Sequence, residues 1–112
     1  MPYSEDMAEL MRADLGIEPG LSEKKMFGGL CFMLHGNMIC GVHKDGSMFR
    51  VGKAREAAAL ELGAAPLSFT GRKMGGMVEL DDGAFQDQDV RQALVRMAHA
   101  NAASLPPKTE KR

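Results

Sequence analysis

The segment 24–51, KKMFGGLCFMLHGNMICGVHKDGSMFRV, constrains the fold most because two turn signals divide it into short apolar runs. His35-Gly36 separates the first two runs, and the glycine readily supplies one of the positive φ angles of a type I′ hairpin turn. Asp45-Gly46, a stronger signal of the same kind, separates the second run from the third. The runs are short enough for strands and are rich in Phe and Met. The segment therefore predicts an antiparallel meander over residues 30–51.

The two turns predict a register, and side chains alternate between the two faces of a strand. In this register Cys31 lies opposite Cys40, and Val42 lies opposite Phe49. One face has no charged residue and is the better candidate for the core: Cys31, Met33, Met38, Cys40, Val42, Phe49 and Val51. The second face carries Leu30, Phe32, Leu34, Ile39 and Met48, with His43 and Arg50 towards one end. Both faces are apolar, so the second face also needs a cover, part of which we expect from a second copy or another protein.

Length and charge place limits on the class of protein. A chain of 112 residues suits one domain with its own core. A net charge of −1 gives no overall field that would attract nucleic acid or an anionic membrane. No apolar run approaches the roughly 20 residues of a spanning helix, and the N-terminus lacks the regions of a secretory signal. We expect a cytoplasmic protein with reduced cysteines, without direct nucleic-acid binding and without membrane association.

Helices and further strands flank the meander. Apolar periodicity and the capping residues Ser4, Gly16 and Asp87 predict three helices, over residues 4–15, 53–62 and 87–103. Short alternating runs predict strands at 67–69 and 77–80, and a weaker one at 21–27. The resulting order, α-β(3-4)-α-β(2)-α, is typical of an α+β protein with an antiparallel sheet of about five to six strands and helices packed on one face. We expect one domain over 1–105 and a disordered basic tail over 106–112.

Candidate chemistry is sparse. The histidines have no metal-ligand spacing, and the serines have neither a nucleophile elbow nor a paired base, so we expect no catalytic residue, no metal and no cofactor. Cys31 and Cys40 form a candidate redox pair if they face each other, although two buried thiols are the commoner state in a reducing compartment. Lys25, Arg50 and Arg72 form a candidate anion site if their strand ends lie together, and a solvated rim of charges if they do not.

The run KKMFGGLCFMLHGNMICGV, followed by a turn and MFRVG, resembles the N-terminal domain of the TfoX/Sxy family. The later segments FTGRKMGGMVEL and ASLPPK are similar to those of its short, single-domain members. The resemblance implies a two-layer α+β fold like that of secretion chaperones. It also implies a role in transcription regulation and DNA-uptake competence beside a cyclic-AMP-responsive activator. Longer members carry a second, helical domain, which is expected to be missing here. The resemblance implies no catalytic residue.

Two functional hypotheses follow. The first is a non-enzymatic regulatory module that contacts another protein, such as a transcription activator or a second copy of the chain. Its contact residues would be those of the second face, with a charge at the edge: Leu30, Phe32, Leu34, Ile39, Met48 and Arg50. The second is a domain that binds a small ligand, either an anion at the basic strand ends or an apolar metabolite on the methionine-rich sheet. An enzyme is the weakest reading, because no paired acid and base can be named.

Overall fold

The computed structural model describes residues 4–26, 28–44, 46–69 and 72–106. Within these ranges the helices are α1 (Glu5–Leu15), α2 (Glu56–Glu61), α3 (Asp82–Phe85) and α4 (Gln88–Ser104), with a 3-10 turn at Lys53–Arg55. The strands are β1 (Leu21–Met26), β2 (Gly29–Leu34), β3 (Asn37–His43), β4 (Gly46–Arg50), β5 (Ala65–Phe69) and β6 (Arg72–Leu80). They form one antiparallel sheet in the order β1-β2-β3-β4-β6-β5. This confirms the predicted α+β class, to which the structure adds the short helix α3.

The helix boundaries follow from local capping chemistry. At the start of α1, Ser4 Oγ accepts a hydrogen bond of 3.2 Å from the Met7 amide, and Gly16 ends the helix with a positive φ of 72°. At the start of α4, Asp87 Oδ1 accepts one of 3.2 Å from the Val90 amide. The caps predicted at Ser4, Gly16 and Asp87 are therefore confirmed.

Among the described helices, none is long and apolar enough to cross a membrane.

The first hairpin of the meander begins as predicted. His35 and Gly36 have φ angles of 50° and 85°, the positive values that a type I′ turn requires. Leu34 pairs with Asn37, and Met33 pairs with Met38. Beyond these pairs the register shifts by one residue, because Phe32 pairs with Cys40 and leaves Ile39 as the extra residue of a β-bulge.

The bulge corrects the predicted pairing of the cysteines. Cys31 lies opposite Gly41, so its side chain is on one face of the sheet while that of Cys40 is on the other. A one-residue shift moves every later side chain of one strand to the other face relative to its neighbour. The predicted face that joined Cys31 and Met33 to Cys40 and Val42 is therefore wrong.

The second hairpin is also shifted from its predicted position. His43 pairs with Gly46 and Cys40 with Phe49, so β4 begins at Gly46, a residue that the prediction placed in the loop. Asp45 itself lies outside the described residues. Every pair moves by two positions, which leaves Cys40, Val42 and Phe49 on a common face, as predicted.

The sheet separates two apolar clusters. The main core lies between the sheet and all four α-helices, and its residues from β2, β3 and β4 are Leu30, Phe32, Leu34, Ile39, Cys40, Val42 and Phe49. A smaller cluster, here named the methionine face, lies on the opposite side: Cys31, Met33, Met38, Met48, Leu67 and Met77. Among the described residues no helix contributes to it. Helices packed on one face of the sheet, as predicted, give a two-layer arrangement.

The methionine face is buried although no described helix covers it, and the face for which we expected a cover from a second chain, that of Leu30, Phe32 and Leu34, is covered by the helices. Within the single chain the members of the methionine face are at most 8 % exposed, apart from the partly buried Met33. Leu67 of β5 joins the cluster next to a register shift between Pro66 and Ser68. The burial of this face therefore comes from the chain itself, and Leu67 of the edge strand β5 takes part in it.

A buried ion pair ties the helices together. Arg91 Nε of α4 donates a hydrogen bond of 2.5 Å to Asp14 Oδ2 of α1, and its Nη1 donates one of 3.2 Å to the Phe85 carbonyl of α3. Gln92 Nε2 donates a further one of 3.1 Å to Asp14 Oδ1. Both charged side chains are only 6 % exposed, so each charge depends on the other to offset the free-energy cost of its burial.

We predict that Asp14→Asn lowers the free energy of unfolding by about 2–4 kcal/mol, because it leaves the Arg91 guanidinium buried without a counter-charge. Glu9→Gln, which removes the same charge from the exposed Glu9–Arg12 pair, should cost less than about 1 kcal/mol. Urea unfolding of the three proteins measures both values. Equal losses in the two variants would show that the Asp14–Arg91 pair does not hold the helices together.

Alanine substitutions at two adjacent residues of β2, Phe32 and Met33, test the bulge. Phe32 is 1 % exposed in the main core, whereas Met33 is partly buried on the methionine face. Phe32→Ala should lower the free energy of unfolding by about 3–5 kcal/mol, and Met33→Ala by less than about 2 kcal/mol. The same urea experiment gives the comparison, and a larger loss for Met33→Ala would contradict the register with Ile39 in a bulge.

Candidate functional site

The residues predicted to bind a partner do not form an exposed surface. Leu30, Phe32, Leu34 and Ile39 lie in the main core beneath the helices, and none is more than 6 % exposed. Met48 lies on the methionine face and is fully buried. Only Arg50, which follows it on β4, reaches the surface in part. The predicted contact face is therefore wrong, because its β2 and β3 residues lie on the side that the helices cover and Met48 lies on the other side.

The predicted anion site is not assembled either. Lys25 is exposed on β1 and lies opposite Leu30, which places it on the helix-covered side. Arg50 lies on β4 opposite Met77 and points to the other side. Two strands intervene, so the strand axes are about 14 Å apart. The side chain of Arg72 lies outside the described residues. The expected convergence of Lys25 and Arg50 is wrong.

The two cysteines are buried and unlinked. Burial raises the pKa of the Cys31 thiol to about 11 and raises that of the Cys40 thiol well above its usual range. A protonated, buried thiol is a poor nucleophile. Since the sheet lies between the two side chains, the predicted redox pair is a further correction. Among the described residues, no group of three His, Cys, Asp or Glu side chains could hold a metal ion.

A cleft of about 270 Å³ lies where α1 ends and β1 begins. The residues that line it come from α1, from the loop after it, from β1 and from the neighbouring strand: Arg12, Leu15, Gly16, Ile17, Glu18, Leu21, Ser22, Glu23 and Phe32. Ile17 is fully exposed at this cleft. Sequence reasoning missed the site, although one signal was present: Ile17 is an isolated large apolar residue in a short loop of glycine, proline and glutamate.

One wall of the cleft is a fixed ion pair. The Arg12 guanidinium donates two hydrogen bonds to Glu23, of 2.6 Å from Nε and 2.9 Å from Nη2, and its Nη1 lies 2.9 Å from Glu9 Oε2. The guanidinium also stacks over the Phe32 ring at 5.8 Å. The hydrogen bonds raise the pKa of Arg12 and lower that of Glu23, so both stay charged. Two carboxylates already hold Arg12, which makes it a poor ligand for a further anion.

The loop that carries Ile17 is anchored on both sides. Glu18 Oε1 lies 2.7 Å from His99 Nε2 of α4. The His35 amide donates a hydrogen bond of 2.9 Å to the Gly20 carbonyl, and the His35 ring fills the space that a side chain at Gly20 would need. These contacts hold the loop against α4 and the first hairpin, so Ile17 projects from a fixed position.

The β1 strand beside the cleft is an open edge of the sheet. In an antiparallel pair, the backbone N–H and C=O groups of one residue point to the neighbouring strand, and those of the next residue point away from it. The hydrogen bond from the His35 amide to the Gly20 carbonyl continues the β1–β2 register, so the backbone groups of Gly20 face β2. By alternation, the backbone N–H and C=O groups of Ser22 and Lys24 also face β2. The groups of Glu23 and Lys25 therefore point outward, as does the Leu21 carbonyl.

The comparisons with known proteins bear on this site. A family model described as TfoX N-terminal domain matches residues 15–102. No curated protein and no solved structure matches the chain significantly. The matched range contains the Ile17 loop, the whole of β1 and the sheet beyond it. The candidate site therefore lies almost entirely within the family domain, with Arg12 the one lining residue before it.

We predict that both cysteines resist alkylation in the folded protein. With the pKa of Cys31 near 11, only about one thiol in a thousand is ionised at pH 8, and burial also blocks access. Mass spectrometry after iodoacetamide treatment should find little label on either cysteine, and label on both when urea is present. After mild oxidation, an intramolecular disulfide in the folded protein would contradict the placement of the two thiols on opposite faces.

Proposed function

The chain belongs to the TfoX N-terminal domain family, and from this premise we propose that it is a non-enzymatic regulatory module that acts by binding another protein. The family resemblance suggests a transcription activator as the partner and DNA-uptake competence as the regulated process. The observation that supports a binding role best is Ile17, a fully exposed apolar side chain on an anchored loop beside a cleft. A projecting apolar residue with a polar rim is the usual core of a protein contact.

The proposed contact combines an apolar centre with a charged border. Leu15 and Leu21 are partly buried at the cleft and extend the apolar surface of Ile17. The paired Arg12 and Glu23 form the border on one side, and Glu18 with His99 forms it on the other. Since these side chains already bind one another within the chain, a partner can approach without leaving one of them without a polar contact.

A small-ligand domain remains the second hypothesis, and the cleft supports it less well. Its volume of about 270 Å³ is slightly below that of typical ligand pockets. The one cation among its lining residues, Arg12, already binds Glu9 and Glu23, so an organic anion would have to displace a carboxylate. Contact with a second protein surface also removes more apolar area of Ile17 from water, and so is more favourable in free energy, than a small ligand that covers only one side of it.

The test replaces Ile17 by Asp in the full chain. Tagged wild-type protein and Ile17→Asp are used to capture partners from the native cell, with quantitative mass spectrometry as the measurement. We expect a partner whose recovery falls at least about tenfold in the variant, because an aspartate must be desolvated in an apolar contact.

Leu60→Asp is the matched control, because Leu60 is the other exposed large apolar residue among those described, 36 % exposed, and lies on α2. It should leave partner recovery unchanged. Ile17→Asp should unfold at nearly the wild-type temperature, and Leu60→Asp at a somewhat lower one, because Leu60 is only 36 % exposed. If the partner is a second copy, sedimentation should show a dimer that Ile17→Asp disrupts. Equal recovery with Ile17→Asp and wild type would show that the Ile17 site does not carry the function.

A further inference from the structure

We infer that β1 binds its protein partner by strand addition: an extended segment of the partner pairs with the open edge and places an apolar side chain in the cleft. The inference rests on the proposed function and specifies how the site would work. The outward N–H groups of Glu23 and Lys25 have no hydrogen-bond partner among the described residues, and the Leu21 amide is taken by the Glu18 carbonyl at 3.1 Å. An added strand would satisfy the two open N–H groups and the outward carbonyls beside them.

The two edges of the sheet differ in their suitability for strand addition. The β1 strand pairs with β2 over all six of its residues without a register shift, so its outer edge is regular. The β5 strand at the other edge contains Pro66, which lacks an N–H group, and its register shifts between Pro66 and Ser68. Proline and irregular pairing are devices that protect an edge from pairing. The regular edge at β1 is therefore the one open to an additional strand.

The side chains along β1 define the chemistry of the incoming segment. On the helix-covered side they are, in order, Leu21 in the cleft, Glu23 bound to Arg12, and the exposed Lys25. On the other side Lys24 is also exposed, and neither lysine has an ion-pair partner among the described residues. The partner segment should thus have an apolar residue opposite Leu21, an acidic residue four positions away opposite Lys25, and a second acidic residue opposite Lys24.

Charge argues against a second copy of β1 as the added strand. In the antiparallel register that would pair Glu23 of each copy with Lys25 of the other, the two Lys24 side chains would lie directly opposite each other. Glu23 would also have to leave or share Arg12, to which it is bound at 2.6 Å. Lysines on an open edge commonly prevent self-association of this kind. An acidic segment from a different protein turns the same lysines into favourable contacts.

Two synthetic peptides test the inference on the full chain. Glu-Glu-Thr-Thr-Leu matches an antiparallel strand, and Leu-Thr-Thr-Glu-Glu matches a parallel one, each with blocked termini. At low millimolar peptide, NMR should show slower hydrogen exchange at the Glu23 and Lys25 amides for at least one peptide, by about tenfold at saturation. The Lys24 amide, which already faces β2, should change little. This alternation is specific to pairing along the edge.

A charge-reversal variant distinguishes a loss of peptide recognition from a loss of the fold. The double variant Lys24→Glu, Lys25→Glu should bind the acidic peptides at least about fivefold more weakly, and peptides with lysine in place of glutamate should bind it better than they bind wild type. Binding that leaves the Glu23 and Lys25 amides unprotected would overturn strand addition, as would the absence of binding by both peptides. The same protection without peptide, in a sample that sedimentation shows to be dimeric, would identify a second copy as the added strand and overturn the proposed partner.

The peptide experiment and the Ile17 experiment fail independently. If Ile17→Asp loses the native partner while neither peptide protects β1, the binding module stands and strand addition is wrong. If the peptides protect β1 while Ile17→Asp retains the partner, the edge recognises extended acidic segments, and the contact proposed at Ile17 is wrong.

Discussion

One extra residue in β3 determines which side chains the helices cover. With Ile39 in a bulge, Leu30, Phe32 and Leu34 face the same side as Cys40 and Val42, and all five enter the main core. Without the bulge, the two strands would offer the helices an interrupted apolar surface, because each would contribute its side chains to opposite faces. The bulge therefore aligns the bulky residues of β2 with those of β3 and β4, the strands on which α1, α3 and α4 pack.

The helix layer in turn fixes the geometry of the candidate site. The buried contact between Asp14 and Arg91 holds the end of α1 against α4, only three residues before Ile17. The contacts of Glu18 with His99 and of Gly20 with His35 then hold the rest of the loop. A side chain that projects from a loop held this firmly loses little further entropy when a partner covers it, which favours binding.

Sequence reasoning reached the features that depend on local chemistry. The turn at His35-Gly36 and the caps at Ser4 and Asp87 are set by a few adjacent residues, and the element order follows from them. The bulge could not be predicted in the same way, because β2 and β3 are apolar at nearly every position and either register buries apolar side chains. The cleft depends on Arg12 meeting Glu23 across the α1–β1 junction, a tertiary contact with no local signal. The predicted placement of β2 side chains relative to those of β3 was therefore wrong, as were the contact face and the redox pair derived from it, whereas the class was right.

The position of both apolar clusters limits where this domain can bind a partner. The helices cover one face of the sheet, and the methionine face is buried within the chain, so among the described residues neither face offers an apolar surface of useful size. What the sheet offers is its edges, and of these β5 is interrupted by Pro66 while β1 is regular. The lysines on β1 are usually regarded as protection against aggregation, but protection by charge is selective. It excludes another basic or apolar strand and admits an acidic one, so the same two residues that keep the edge free can determine what it binds.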